Sequence, residues 1–262
     1  MPVLGVITCE ILEMEFAWLL ATDPQVGGVT VLEDARSARL IEALESKGVQ
    51  NLRRIPHVSS LPREPSDRLE VLVRVLELGL HRNRKILQRA LVRAARELTP
   101  HADALVLGYG LCGNALSNPK ELLDVGKPVF IPMDEDHPVD DCVGLLIGGR
   151  RRYYAEQCKV PGTVFMIPGL TRHWRRMFEG GIRGNAHDAL KRLFVRYERS
   201  LLVPTPAMGE DEMKRNVEEF NKIVGLRMEV RQGIATFLIK AWESAKDYLK
   251  AKACRSMESD SR

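Results

Sequence analysis

Val3-Leu4-Gly5-Val6-Ile7-Thr8 is an unbroken apolar run, and the residues after it, 10–20, place apolar side chains at Ile11, Leu12, Phe16, Leu19 and Leu20. A short run without polar alternation is the pattern of a strand covered on both faces, and the spacing that follows is close to helical. Together they predict a β-α unit, and the alternation continues outward from it. Residues 28–32 read as a second strand, 35–47 as a helix closed by Gly48, and 51–55 as a third strand ending at Pro56-His57. Residues 67–98 read as one long or broken helix, with Gly79 near its middle and Thr99-Pro100 as its stop. Further strands are predicted over 104–107, 128–131 and 163–167. Strands alternating with helices give an α/β fold, a largely parallel sheet with helices on both faces, in one body or in two or three stacked β-α subdomains.

After Pro168 the pattern loosens, with Gly180-Gly181 and Gly184 marking a connection. Residues 186–199, 210–224 and 234–250 read as helices, and 201–203 and 226–230 as short strands. The predicted organisation is a core over 1–178, an α/β extension packed on it over 179–251, and a disordered tail over 252–262, where little can be buried.

The composition narrows the class of protein. At 262 residues, 45% apolar and 28% charged, the chain is neither a disordered segment nor a collagen-like repeat, and at this length roughly 70–75% of the unfolded surface is buried on folding. The net charge is +4 and Arg outnumbers Lys, which favours fork-shaped contacts to carboxylate or phosphate over a nonspecific cationic coat. Arg150-Arg151-Arg152 and Arg172-His173-Trp174-Arg175-Arg176 read first as solvated helix faces. Without zinc-finger spacing, an aromatic RNA-binding signature or a basic tail, no nucleic-acid partner is expected. No apolar run approaches the roughly 18–20 residues that cross a bilayer, and no secretory leader is recognisable, so a soluble, cytoplasmic protein without a membrane partner is expected. Five scattered cysteines, an odd number, do not form a disulfide framework and are expected as free thiols in a reducing compartment.

Ligands of an open parallel sheet gather beyond the carboxyl ends of its strands, and this sorts the cysteines. Cys9 follows the first strand directly. Cys112 follows 104–107 through Gly108-Tyr109-Gly110-Leu111, and Cys142 follows 128–131 through the acidic Met133-Asp134-Glu135-Asp136-His137-Pro138. Gly108, Gly110, Gly113 and Asn114 let backbone amides approach an anion or a cluster. A thiol at a helix start has its thiolate favoured by the dipole. Cys158 precedes a strand and is a reserve ligand only, and Cys254 a bystander. His57, at the end of the third strand, and His137, before Cys142, are candidate proton carriers or ligands, although lone histidines are more often surface or packing residues. His81 reads as a helix surface position. The acidic run around Cys142 reads as a solvated loop in which one carboxylate can act as a base.

Three soft ligands without a fourth fit a [4Fe–4S] cluster with one open iron. Zinc is the alternative, closed by a histidine or open to water. The absence of a Cys-x-x-Cys pair counts against a zinc ribbon, a ferredoxin and a thioredoxin-like dithiol, and a metal-free Cys nucleophile remains a third reading.

The segments Thr8-Cys9-Glu10-Ile11-Leu12, Gly79-Leu80-His81, Gly108-Tyr109-Gly110-Leu111-Cys112-Gly113-Asn114 and Asp141-Cys142-Val143-Gly144-Leu145-Leu146-Ile147-Gly148, followed by Pro161-Gly162-Thr163 and Pro168-Gly169, resemble the domain-of-unknown-function family numbered 1638. The resemblance runs from about residue 3 to residue 178 and fades beyond. This chain departs from the family pattern in carrying 133–140 before the Asp141-Cys142 pair, where the family usually has Pro-Arg and His. The resemblance implies no established reaction. It implies an association with anaerobic metabolism, including corrinoid and methyl-group chemistry, and it covers the same three cysteines that the strand-edge argument selects.

The expectation is therefore a cytoplasmic metal-centre protein in which Cys9, Cys112 and Cys142 hold a [4Fe–4S] cluster whose open iron acts on a small anionic substrate, as a lyase or transferase without net electron transfer. The rival is a non-catalytic accessory protein for a corrinoid or methyltransferase partner. The Asp-x-His-x-x-Gly pattern of a histidine-ligated corrinoid module is absent.

Overall fold

The computed structural model describes residues 2–61, 68–113, 115–116, 118–182 and 184–260. In chain order the elements are β1 (Val3–Cys9), α1 (Glu13–Thr22), β2 (Val26–Leu32), α2 (Ala38–Ser46), β3 (Leu52–Ile55), β4 (Leu69–Leu76), α3 (Arg84–Leu98), β5 (Ala104–Gly108), α4 (Pro119–Leu122) and β6 (Val129–Phe130). A small hairpin, β7 (Met133–Asp134) and β8 (His137–Pro138), leads to α5 (Cys142–Ile147), α6 (Arg150–Lys159), β9 (Thr163–Met166) and α7 (Pro168–Phe178). The chain continues through α8 (Ala186–Leu193), β10 (Arg199–Leu202), α9 (Glu210–Val224), β11 (Arg227–Val230) and α10 (Thr236–Asp260).

Six parallel strands form one sheet in the order β3-β2-β4-β1-β5-β6. The first strand has a side-chain period of two, so Leu4 and Val6 face one core with α1 and α2, while Ile7 faces a second core with α3. Apolar residues on both faces are what the unbroken run requires, and the predicted α/β class is the observed one.

The principal correction concerns residues 67–98, read from the sequence as a helix. Residues 69–76 are instead the strand β4, wedged between β2 and β1. Leu69, Leu72 and Leu76 satisfy a helical spacing, yet Val71, Val73 and Val75 alternate on one face while Leu72 and Leu76 fill the other. A strand buried on both faces is apolar throughout, and periodicity cannot then separate it from a buried helix; the β-branched valines were the arbiter. The helix begins only at Arg84, after the side chain of Asn83 accepts the Lys85 and Ile86 amides at 3.1 and 3.2 Å.

A second correction concerns 163–167. This strand is not in the large sheet: β9 pairs with β10, and β10 with β11, in a separate parallel sheet. One continuous core joins Leu4 and Val6 to Leu201, Phe220 and Trp242. The helix predicted over 186–199 stops at Leu193, and Arg199 opens β10. The last helix spans Thr236–Asp260. Among the described residues no helix is long and apolar enough to cross a membrane.

Candidate metal centre

The site follows from the strand order. From β1 the chain crosses toward β2, on one side of the sheet, whereas from β5 it continues to β6 on the other. Loops that leave neighbouring strands in opposite directions open a crevice at their carboxyl ends. In register, Thr8 lies opposite Gly108 of β5, and Cys9 opposite Leu76 of β4. Cys9, the loop after β5 and the loop after β4 thus share one edge.

Cys9 is the last residue of β1 and leads into a tight turn, Glu10–Leu12. The segment after β5 is tied to the segment before α5: the Leu111 amide donates to the Val139 carbonyl at 2.8 Å and the Cys112 amide to the Asp140 carbonyl at 2.7 Å. Gly110 permits this approach, because a Cβ there would lie 2.7 Å from the Asp141 backbone. Cys142 opens α5, where the Asp141 side chain accepts the Gly144 amide at 2.7 Å. All three cysteines are half-buried free thiols.

Their electrostatics show how they are grouped. Burial pushes the Cys9 thiol up to about 11, the Ile11 amide opposing it and Glu10 and Glu13 adding to it. Burial, followed by Cys9 and Asp141, pushes Cys112 up to about 12. Cys142 is raised well above the ordinary thiol value by burial, Asp141, Cys112 and Cys9. The three thiols are within electrostatic reach of one another and of Tyr109, whose phenol is raised by burial and then by Cys9, Cys112 and Cys142. The Tyr109 hydroxyl is buried beside them, without a hydrogen-bond partner among the described residues. The expectation that a helix dipole favours the Cys142 thiolate is reversed: α5 has only six residues, and desolvation outweighs what its first turn supplies. Among the described residues no group of three or more His, Cys, Asp or Glu side chains is set to hold a metal ion.

The other residues selected from sequence are distributed as follows. Gly108 ends β5 in the core, and Gly113, at φ 64°, turns outward after Cys112. Asn114 lies outside the described residues. His57 is exposed at the end of β3, separated from β1 by β2 and β4, a lateral offset of roughly 14 Å at ordinary strand spacing. His137 sits in the β7–β8 hairpin with Nδ1 3.1 Å from Asp136 and Nε2 without a partner among the described residues. Cys158 and Cys254 are exposed on α6 and α10.

Two further residues border this edge, and neither carries a local sequence signal when 67–98 reads as helix. Leu80–Arg82 form a turn after β4, and His81 there feels the Asp141 carboxylate, while burial and Arg82 hold its pKa below the ordinary histidine value. Glu10, almost wholly buried, accepts the Leu78 amide at 2.7 Å and a fork from Arg176 at 2.7 and 3.1 Å. That carboxylate binds the loops after β1 and β4 to α7. The valine alternation at 71, 73 and 75 was the signal that would have placed both loops at this edge.

Beside Cys112 opens a pocket of about 370 Å3, lined by Leu111, Gly113, Asp141, Arg150, Tyr153 and Tyr154 among others. Arg150 stands at its edge, held by Asp140 through two hydrogen bonds of 2.9 and 2.7 Å. The arrangement offers soft sulfur donors in a crevice, one bordering guanidinium and two phenols.

A family model described as "Protein of unknown function (DUF1638)" matches residues 75–242. The matched span contains Cys112 and Cys142, begins after Cys9, and reaches into α10, well beyond the extent read from the sequence motifs. No curated protein and no solved structure matches the chain.

Proposed function

From a chain that belongs to the DUF1638 family, whose description gives no activity, we propose a metal-centre protein: Cys9, Cys112 and Cys142 hold a [4Fe–4S] cluster with one open iron, and the protein acts on a small anionic substrate in anaerobic metabolism. The observation that carries this reading is that three free thiols, each raised by burial, lie within electrostatic reach of one another, Cys9 and Cys112 after β1 and β5 and Cys142 at the start of α5. Thiols so desolvated stay protonated at neutral pH unless a cation replaces the protons.

The donor set suits a cluster better than a single ion. Zinc draws its sulfurs to about 2.3 Å from one centre and closes a structural site with four ligands, whereas three soft donors without a fourth leave one position open. A cubane cluster offers each thiolate a different iron, so its ligands stand farther apart. When bound, it supplies a Lewis-acidic iron without net electron transfer.

The remaining roles belong to the protein's own residues. Arg150 receives the anion at the mouth of the pocket, exchanging part of its contact with Asp140 for the substrate. Tyr153 and Tyr154 border the same space and exclude water from one side. Gly110 and Asp141 hold the two cysteine-bearing loops together. His81, which feels the Asp141 carboxylate, is the proton carrier this reading assigns; His57 stands three strands away from β1.

Anaerobic reconstitution followed by iron and sulfide analysis tests the reading. The expected result is a brown protein with about four irons and four sulfides per chain, and Cys112→Ser lowers both. A colourless, iron-free chain after anaerobic reconstitution contradicts it.

A second reading, a non-catalytic accessory protein for a corrinoid or methyl-transfer partner, is favoured by one feature. Leu193, Val195 and Tyr197 are 56%, 76% and 39% exposed in one short segment, an apolar surface suited to a protein partner. Co-purification of a methyltransferase with no turnover of small anions would support it over the enzymatic reading.

A further inference from the structure

A cleft of about 950 Å3 lies at the open edge of β6 and shares no lining residue with the pocket beside the thiols. Its floor is the edge strand, with Val129 and Phe130, and Ile131 after it, and its opposite wall is α10, with Phe237 and Ala241. β6 pairs with β5 on one side only. Its free side is nonetheless a poor template for another strand: β6 has two residues, and Pro128 and Pro132 on either side lack an N–H. An extended peptide is therefore a poor occupant, and a compact molecule a good one.

The charge in the cleft indicates its chemistry. Lys127, Arg151, Arg152 and Lys240 line it, and among the described residues none of the four is in an ion pair. Among the described residues Arg152 makes only a long hydrogen bond to the Ile147 carbonyl, at 3.3 Å. Arg150, one residue before Arg151, is by contrast locked to Asp140. Three carboxylates also border the cleft. Asp134 is occupied by the Arg150 amide at 2.8 Å, and Asp124 and Glu135 lie exposed at the rim. Four unpaired cations over an apolar floor with two aromatic rings match a ligand with a flat apolar body and an anionic head, and the volume is that of an ordinary small-molecule site.

We propose that this cleft is a binding site for an organic anion of nucleotide size, its phosphate or carboxylate head held by Arg152 and Lys240 and its apolar body against Phe130 and Phe237. The site is separate from the thiol crevice and stands whether or not a cluster is held there.

Titration calorimetry of the full chain with ADP as probe tests it, with adenosine and inorganic pyrophosphate as the two halves of the probe. ADP saturates one site, and each half alone binds at least about tenfold more weakly. Arg152→Glu and Lys240→Glu, both exposed and expected to fold, each weaken ADP by about tenfold or more, while Lys85→Glu on α3, outside the lining of the cleft, leaves it unchanged. Failure of ADP to saturate at millimolar concentration, binding indifferent to both cleft variants, or equal loss in Lys85→Glu overturns the proposal.

Discussion

Cys112 holds a backbone φ of 49°, in the left-handed region that side chains other than glycine avoid. Such a conformation costs about 1–3 kcal/mol and persists where the surroundings over-determine it; here the Leu111 and Cys112 amides are clamped to the Val139 and Asp140 carbonyls. The strain belongs to the backbone, so Cys112→Gly is expected to be more stable than Cys112→Ser by about 1 kcal/mol in metal-free protein, by chemical denaturation, although neither variant assembles the site. Equal midpoints would remove the strain from the account. The thiols make a second prediction. With Cys9 pushed up to about 11 and Cys112 to about 12, metal-free protein at neutral pH should be alkylated first at the exposed Cys158 and Cys254, and only slowly at the three crevice cysteines, as read by mass spectrometry. One crevice cysteine reacting fastest of all would favour the nucleophile reading instead.

β1 and β5 were legible because each is a short apolar run followed by glycine or helical spacing, and with them came the placement of Cys9 and Cys112. The strand β4 was not, since apolar side chains on both of its faces erase the period that identifies it. That single misreading hid His81 and the carboxylate of Glu10, whose partners at Leu78 and Arg176 are distant in sequence and carry no local motif. His57 was overrated for a related reason: a strand end predicts an edge of the sheet, while position along that edge depends on strand order, which no local pattern encodes. Glu10→Gln tests the link between the loops. It keeps the shape but loses the charge paired with Arg176, and an expected loss of about 2 kcal/mol should appear in urea denaturation together with faster amide exchange at Leu78. Unchanged exchange at Leu78 would show that the loop after β4 is held by other contacts.

The two sheets share one core, and their seam is unusually polar. Glu13 and His173 meet there at 2.9 Å, fully buried, and Glu15 lies close by with Thr205 at 3.3 Å and one carboxylate oxygen unpartnered. Burial pushes the Glu15 carboxyl up to about 7, against an ordinary value of 4.5. The folded chain then binds more protons than the unfolded chain between those values, so stability is greatest below the lower one and is lost as pH rises through about 7. The loss is on the order of 3 kcal/mol. Thermal midpoints of the chain should fall from mildly acidic to mildly alkaline buffer, and Glu15→Gln should flatten that slope; a slope unchanged by the substitution would place the charge elsewhere.

The claim that ties the molecule together is that three thiolates from separate β-α loops share one cluster and leave one iron open. Mössbauer spectroscopy of anaerobically reconstituted, iron-57-labelled protein reads this directly. Three thiolate ligands and one open iron give a cluster spectrum in which one iron of the set is resolved from three alike. Four equivalent irons, or no cluster signal at all, would contradict it.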